Sequence, residues 1–182
     1  MFGVESELAP GLQVLASRRR GKDLDTYHCW SRTWNCHCFV KALRPDRLES
    51  PARRRLVREA RLLLTFAHPN LVRAYELLQA GTGESPLLVL ESIAGPSLEH
   101  RLRVGGRLPL RDMVMLGRHL CSVMRYLQDH RYLHLDIQPS NIITDGSRAR
   151  LIDLSSARRP GRITPGWAHA TRSLPSMPAG EG

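Results

Sequence analysis

Short runs of alternating hydrophobic and polar residues occupy the first half of the chain. β-forming residues in partial alternation predict strands at residues 12–15 and 38–43, and the basic stretch between them is interpreted as a turn-rich connection. Two further strands are predicted at residues 71–77 and 86–92, with a turn at residues 81–85 between them. The N-terminal half is therefore predicted to be rich in β-structure.

Apolar residues at helical spacing mark two longer segments. In residues 52–67 they are Leu56, Ala60, Leu63 and Leu64. In residues 110–130 they are Met113, Leu116, Leu120, Val123 and Leu127. Ser97 is predicted to cap a shorter helix that ends at Gly105-Gly106, and two apolar pieces within residues 141–154 suit a hairpin. This order of elements predicts an α+β fold with a helical second half.

Composition narrows the class of protein without naming a function. The 182 residues are 42% hydrophobic and begin without the pattern of a signal peptide. No apolar run reaches the roughly 18 residues of a membrane helix, so we expect a soluble, cytoplasmic chain with no membrane segment. The formal net charge is +10, but arginine is spread along the chain with few aromatic residues among it. No nucleic acid partner is therefore expected, and a basic nucleic-acid binder is the less favoured alternative.

The four cysteines do not describe a disulfide framework, although three of them lie near a histidine. Cys36, His37 and Cys38 would be neighbours on one strand, where successive side chains point to opposite faces. His37 would then face away from both thiols, and the sequence lacks the second ligand pair of a tetrahedral zinc site. Buried or edge-strand thiols are preferred over the alternative of a metal site.

Oxygen-bearing side chains cluster around the predicted hairpin. Residues 134–141 read HLDIQPSN and residues 151–155 read LIDLS, so Asp136, Asn141 and Asp153 can converge across one hairpin. Carboxylate and amide oxygens are the ligands that Mg²⁺ prefers. Phosphoryl transfer from ATP needs such ligands, positive charge on the phosphates and an acceptor for the substrate proton.

HLDIQPSN resembles the HRDLKPxN catalytic loop of protein kinases, and LIDLS resembles the strand that leads into their DFG motif. The resemblance implies a serine/threonine kinase-like chain of bacterial, actinobacterial type that uses ATP and Mg²⁺ on an unknown protein substrate. By the same resemblance Asp136 is the catalytic base. Asn141 and Asp153 would hold Mg²⁺, and Asn141 also counts as catalytic.

The N-terminal half is similar to the ATP-binding part of the same family. Lys41, in CFVKAL, resembles the catalytic strand lysine that contacts the α and β phosphates, and Glu59, in VREARLL, resembles its ion-pair partner. Only two of the 27 basic residues are lysines, which makes a lysine at this position informative. LVLESIAGPSL resembles the hinge that holds adenine. Leu90 would be the gatekeeper, and the backbones of Glu91 and Ile93 would bind the adenine edge.

Several positions depart from the family pattern. Gly21 is the only glycine in the segment expected to cover the ATP phosphates, and Arg19 replaces one of the flanking glycines. We hypothesise that Arg19 or Arg20 supplies charge in their place. Gln138 stands where serine/threonine kinases carry a lysine, and Phe39 stands where a small residue covers adenine.

The resemblance also implies a domain organisation. We expect a protein-kinase-like two-lobe fold, with a complete β-rich N-lobe at residues 1–93 and the first part of the helical C-lobe at residues 94–156. Residues 157–182 are predicted to form a disordered tail. Family members continue further, so a truncated or frameshifted C-terminus is expected. The helix at residues 110–130 would then expose an apolar face that a partner could cover.

Three functional hypotheses remain open at this stage. The first is an active serine/threonine kinase that transfers the γ-phosphate of ATP to a protein hydroxyl. The second is a catalytically weak or inactive pseudokinase that binds a nucleotide or a partner. The third is a degenerate fragment that folds poorly.

Overall fold

An antiparallel sheet, three α-helices and a hairpin make up the structure, a computed structural model that describes residues 6–48, 50–78, 85–146 and 148–161. The elements along the chain are β1 (Glu7–Ala9), β2 (Leu12–Arg20), β3 (Leu24–Ser31), β4 (Cys36–Leu43), α1 (Pro51–Thr65), β5 (Ala74–Leu78), β6 (Leu87–Glu91), α2 (Leu98–Gly105), α3 (Leu110–Asp129), β7 (Ile142–Asp145) and β8 (Arg148–Leu151). The sheet has the order β1-β2-β3-β4-β6-β5, and β7 and β8 form a separate two-stranded sheet. This is the expected α+β class.

The first strands form a meander, and here the sequence prediction is wrong. β2 continues to Arg20, so Arg18 and Arg19 also belong to a strand and the connection is limited to residues 21–23. β3 is not predicted, although its burial alternates strictly along LDTYHCWS. Polar and aromatic residues hide this alternation in the sequence, because one face of an antiparallel strand can carry them while the other face is buried.

Two buried thiols lie opposite each other in this meander. Cys29 on β3 pairs in register with Cys38 on β4, and both side chains are fully buried. Burial raises the pKa of Cys29 to about 11 and that of Cys38 to about 12, so both are protonated at neutral pH and pack as small apolar groups. His37 is exposed and stacks on His28, with 5.1 Å between ring centroids. The described residues contain no cluster of three or more His, Cys, Asp or Glu that could hold a metal ion.

Helix α1 packs one apolar face into the domain. Ser50 caps its N-terminus with a hydroxyl that accepts from the Ala52 N–H, and Pro51 at the first helical position needs no hydrogen-bond partner. It ends at Thr65, two residues earlier than predicted, because Phe66 adopts an extended backbone. Its buried side chains are Ala52, Leu56, Glu59, Ala60, Leu62 and Leu63. Leu64, which the spacing places on the buried face, is 47% exposed.

The second half is helical, as predicted. The Ser97 hydroxyl caps α2 by accepting from the His100 N–H, and Gly106 follows the helix with a φ of +66°. In α3 only Val123 and Leu127 are fully buried, whereas Met113 is half exposed. The N-terminal part of α3 therefore presents an apolar face to solvent within the described structure, and its coverage by a partner stays a prediction. No described helix is both long and apolar enough to span a membrane.

The hairpin β7–β8 contacts two chain segments, one just before β5 and one just after β6. The N–H of Val72 donates to Leu151 at 2.8 Å, and the N–H of Leu151 donates to Asn70 at 2.8 Å. On its other side Gly95, with a φ of +103°, passes so close that a Cβ there would lie 2.2 Å from the Thr144 carbonyl oxygen. The larger hydrophobic core joins α1 and β6 to α3 and this hairpin, and a smaller core covers the opposite face of the sheet.

The folded part extends past the predicted boundary at residue 156. Ala157 is fully buried, and Arg158 exchanges two backbone hydrogen bonds with Leu133, at 2.7 and 2.9 Å. Otherwise the division into lobes and tail stays a prediction, and residues 162–182 lie outside the described residues. So do residues 81–84, which carry most of the predicted turn between β5 and β6.

Candidate active site

A cavity of about 740 Å³ lies between the sheet and the hairpin. Apolar side chains from both sides line it: Phe39, Val72, Leu90, Ile143 and Ile152. Lys41, Asn141 and Asp153 contribute charged and amide groups to the same cavity. Six of the predicted site residues line this cavity, namely Lys41, Leu90, Glu91, Ile93, Asn141 and Asp153.

Lys41 stands between two carboxylates that come from distant parts of the chain. Its Nζ lies 2.6 Å from Oε1 of Glu59 on α1 and 3.2 Å from Oδ2 of Asp153, which follows β8. Burial by itself would lower the pKa of Lys41, but the two carboxylates outweigh it and raise the pKa. Lys41 is therefore a fixed cation at the cavity wall.

The pKa values of the two carboxylates shift in opposite directions. Burial raises the pKa of Glu59, which has no exposed surface, and the charge of Lys41 opposes this effect only in part. Burial would also raise the pKa of Asp153, but the charge of Lys41 and the Ser155 N–H, which donates to Oδ1 at 2.7 Å, lower it below its usual value. Asp153 is therefore ionised at neutral pH and presents negative charge to the cavity beside the ammonium group.

The loop after α3 brings the predicted base and metal ligand together. Nδ2 of Asn141 donates to both the backbone oxygen and Oδ2 of Asp136, each at 3.1 Å. Nε2 of Gln138 donates to the same Oδ2 at 3.2 Å. Asn141 is buried at the end of a short 3-10 turn, and its carbonyl accepts the Ile152 N–H at 3.0 Å. That bond joins the loop to the residue before Asp153.

His134 supports this loop from the core. It is almost completely buried, and its Nδ1 accepts the N–H of Asp136 at 3.2 Å. Leu135, between them, has a φ of +65°, a left-handed conformation that is strained for a leucine. Burial lowers the pKa of His134. The neutral ring that results can keep Nδ1 as an acceptor and so fix the backbone at Asp136.

The segment after β6 is held by its own acidic residue. The Glu91 N–H donates to the Arg73 carbonyl at 3.0 Å, and its Oε1 accepts the Arg73 N–H at 2.7 Å. The same carboxylate forms an ion pair with Arg150 on β8. These bonds connect the strand end, where Leu90 and Ile93 line the cavity, to the hairpin below it.

The remaining predicted residues lie beside the cavity or away from it. Glu59 is behind Lys41, and Asp136 is beside Asn141, although neither lines the cavity itself. Gly21 does not line it either: its N–H donates to the Leu24 carbonyl at 2.8 Å, and a Cβ there would lie 2.6 Å from that oxygen. The tight turn after β2 therefore explains this glycine without a ligand.

Sequence reasoning missed several cavity residues. Thr26 and His28 line the cavity from β3, Ser140 lines it from the loop after α3, and Arg18 lines it from β2. The two β3 residues could have been found from the alternation of that strand, had it been recognised. Arg18 carried no signal that separates it from its neighbours.

Comparisons with known proteins relate the chain to one family. Residues 20–167 match the protein kinase domain family. The chain is 30% identical to the tyrosine-protein kinase SRK3 of Spongilla lacustris over 71% of its length and 39% of that protein. It is 31% identical to the serine/threonine-protein kinase ATG1a of Arabidopsis thaliana, over 57% of its length and 16% of that protein. It is 28% identical to the serine/threonine-protein kinase PknB of Mycobacterium leprae, over 65% of its length and 20% of that protein. The chain thus spans well under half of each of these relatives.

Proposed function

The chain belongs to the protein kinase family, and from this we propose that it binds ATP with Mg²⁺ in the cavity and transfers a phosphoryl group to a serine or threonine hydroxyl of a protein. The observation that carries the proposal is that Lys41, held by Glu59 and Asp153, lines the same cavity as Asn141, which is bonded to Asp136. A kinase needs these charges close together, because catalysis of phosphoryl transfer is mostly positioning and electrostatic stabilisation.

The residues present fit a nucleotide and a magnesium ion. A volume of about 740 Å³ lies within the range of small-ligand sites, and the mixed apolar and charged lining suits a base joined to phosphates. Asp153 offers carboxylate oxygens for the metal. Asn141 offers its amide oxygen, since its amide nitrogen already donates to Asp136. When bound, Mg²⁺-ATP would supply the phosphoryl group.

Each side chain has one task in this proposal. Lys41 places positive charge on the phosphates, and Glu59 keeps the ammonium group in place from behind. Asp136 accepts the proton of the substrate hydroxyl. The Glu91 carbonyl and the Ile93 backbone bind the adenine edge, because the Glu91 N–H is already bonded to Arg73.

The hydroxyl specificity, the bacterial descent and the cellular location of the chain are further proposals. Serine/threonine specificity follows the names of ATG1a and PknB, whereas SRK3 is named a tyrosine kinase. Bacterial descent is supported by the similarity to PknB, and a cytoplasmic location stays an expectation from the sequence.

A nucleotide-binding module with little turnover is the second candidate. Gln138 stands at the position of the loop lysine and donates to the proposed base at 3.2 Å, so an uncharged amide occupies a place where positive charge would stabilise the transferred phosphate. Loss of one such contact commonly costs about 10²–10³ in rate. This candidate keeps ATP binding and loses phosphoryl transfer.

Two measurements on the full chain separate the candidates. The first is the thermal melting temperature with and without Mg²⁺-ATP, where saturation at about a hundred times Kd stabilises the native state by about 2.7 kcal/mol. We expect this shift in the wild type and in Lys22→Met, an exposed control, but not in Lys41→Met. The second is phosphate transfer to peptides that contain Ser, Thr or Tyr as the only hydroxyl residue.

The outcomes are distinct. Transfer to Ser or Thr peptides that is abolished in Asp136→Asn supports the kinase. A thermal shift without transfer to any peptide supports the binding module, and a shift that survives Lys41→Met contradicts the role of Lys41 in both candidates. Transfer to Tyr peptides alone would overturn the proposed specificity.

A further inference from the structure

Two arginines of β2 line the cavity, and one of them, Arg19, stands at a position where the family carries a glycine. Arg18 and Arg19 are both exposed and both belong to the cavity wall, together with Lys41 and Asp153. Arg20, the next residue of the same strand, is equally exposed and does not line the cavity. The sequence analysis named Arg19 or Arg20 as a source of charge in place of the glycines, and of these two only Arg19 lines the cavity.

An irregularity in the strand pairing explains this selection. Ser17 pairs with Tyr27 and Arg19 pairs with Thr26, so Arg18 is the extra residue of a bulge. Residues that are paired across two strands share a face, and Thr26 lines the cavity, which places Arg19 on the cavity face.

The next pair along the strands gives the opposite result for Arg20. It pairs with Asp25, which is buried on the other face of the sheet. In a regular strand the side chains would alternate, and only one of Arg18 and Arg19 could reach the cavity. The bulge therefore directs two consecutive guanidinium groups to the same side.

Among the described residues these two charges have no carboxylate partner. Within the described residues neither Arg18 nor Arg19 lies within ion-pair distance of an acidic side chain, whereas Lys41 already has two. Arg18 and His28 both line the cavity. The positive charge of Arg18 contributes, after burial and His37, to lowering the pKa of His28. The uncompensated positive charge on this wall comes from β2.

We propose that Arg18 and Arg19 bind the phosphate groups of the nucleotide, in place of the backbone N–H groups that a glycine-rich loop would provide. The inference rests on the proposed function and specifies how this chain recognises phosphate. Guanidinium groups form short, charge-assisted and often bidentate hydrogen bonds to phosphate oxygens. Affinity should therefore rise with the number of phosphates, and the rise should depend on these two side chains.

The test is the affinity of the full chain for adenosine, AMP, ADP and ATP, measured by isothermal titration calorimetry with Mg²⁺. Arg18→Ala/Arg19→Ala is compared with Arg20→Ala, which removes the same side chain from the opposite face. The double variant should bind ATP at least about tenfold more weakly and bind adenosine as the wild type does. Arg20→Ala should match the wild type for all four ligands, and Arg18→Lys/Arg19→Lys should recover part of the ATP affinity because it keeps the charge.

Each result has a defined meaning. Equal ATP affinity in the double variant and in Arg20→Ala overturns the inference and leaves the proposed function intact. An equal loss for adenosine and ATP also overturns it, because the arginines would then shape the cavity and not bind phosphate. If the wild type binds none of the four ligands, the proposed function fails first. Unchanged melting temperatures without ligand, expected for exposed side chains, show that the variants are folded.

Discussion

Replacing Lys41 with methionine should leave Glu59 as a buried carboxylate without a cation. The two charged atoms are 2.6 Å apart, which corresponds to about 6 kcal/mol of attraction at an effective dielectric constant near 20. Desolvation of both groups offsets part of this attraction in the native protein, but the variant keeps the cost for Glu59 and loses the partner. We therefore expect Lys41→Met to lower the free energy of unfolding by about 3–5 kcal/mol.

The reverse replacement should cost less. Glu59→Gln leaves Lys41 with Asp153, 3.2 Å away and partly exposed to water, and the amide oxygen can still accept from the ammonium group. A loss of about 1–2 kcal/mol is expected, the cost of one weakened hydrogen bond to a charged group. The double variant Lys41→Met/Glu59→Gln should be more stable than Lys41→Met alone, because it no longer buries an unpaired charge.

The assay is urea unfolding at about pH 7.5 and about pH 5.5. Burial already raises the pKa of Glu59 above its usual 4.5 in the wild type, and removal of Lys41 takes away the charge that opposes this rise, so the pKa is higher still in the variant. The native state then binds more protons than the unfolded state between the two pKa values, so the deficit of Lys41→Met relative to wild type should shrink as the pH falls. Equal losses for Lys41→Met and Glu59→Gln, or a deficit in Lys41→Met that grows toward acid, would refute this reasoning.

Three further predictions concern stability, each measured by urea unfolding. Burial lowers the pKa of His134 below its usual 6.5, so the unfolded state binds a proton at a higher pH than the native state does. As the pH falls below 6.5, the free energy of unfolding of the wild type should therefore drop by up to about 1.4 kcal/mol per pH unit more than that of His134→Gln. Leu63→Ala should cost about 2–5 kcal/mol and Leu64→Ala less than about 1 kcal/mol, because only the first is buried. Gly95→Ala should destabilise by more than about 2 kcal/mol, since its Cβ would strike a backbone carbonyl, whereas Gly117→Ala should stabilise by about 0.5–1 kcal/mol in the open interior of a helix.

These predictions can be contradicted separately. A parallel pH dependence in wild type and His134→Gln would mean that the ring is charged in the native state. Similar losses for the two leucine variants would place α1 in a different rotation against the sheet. A neutral Gly95→Ala would mean that the segment after β6 lies farther from the hairpin.

Prediction from sequence succeeded where the pattern is local. The bounds of α2 and α3 follow from caps and periodicity, and the hairpin follows from two short apolar pieces. Lys41 and Glu59 were predicted from the resemblance of their segments to a known family, and the structure brings the two side chains together. β3 was hidden by its polar face. The contribution of Arg18 depends on a bulge, and nothing in a run of three arginines indicates where the extra residue of a strand will fall.

The ion pairs of Lys41 also constrain the order in which the protein folds. The lysine and Asp153 are separated by 112 positions, whereas the β2–β3–β4 meander is built from neighbours in sequence. Closing a long loop costs conformational entropy before the distant contact stabilises the fold. We therefore expect the meander to form early and the cavity to form only after the hairpin has docked. During synthesis, a chain that has not yet reached Asp153 can pair Lys41 only with Glu59. The charged part of the cavity around Lys41 is therefore completed late, when Asp153 takes its place.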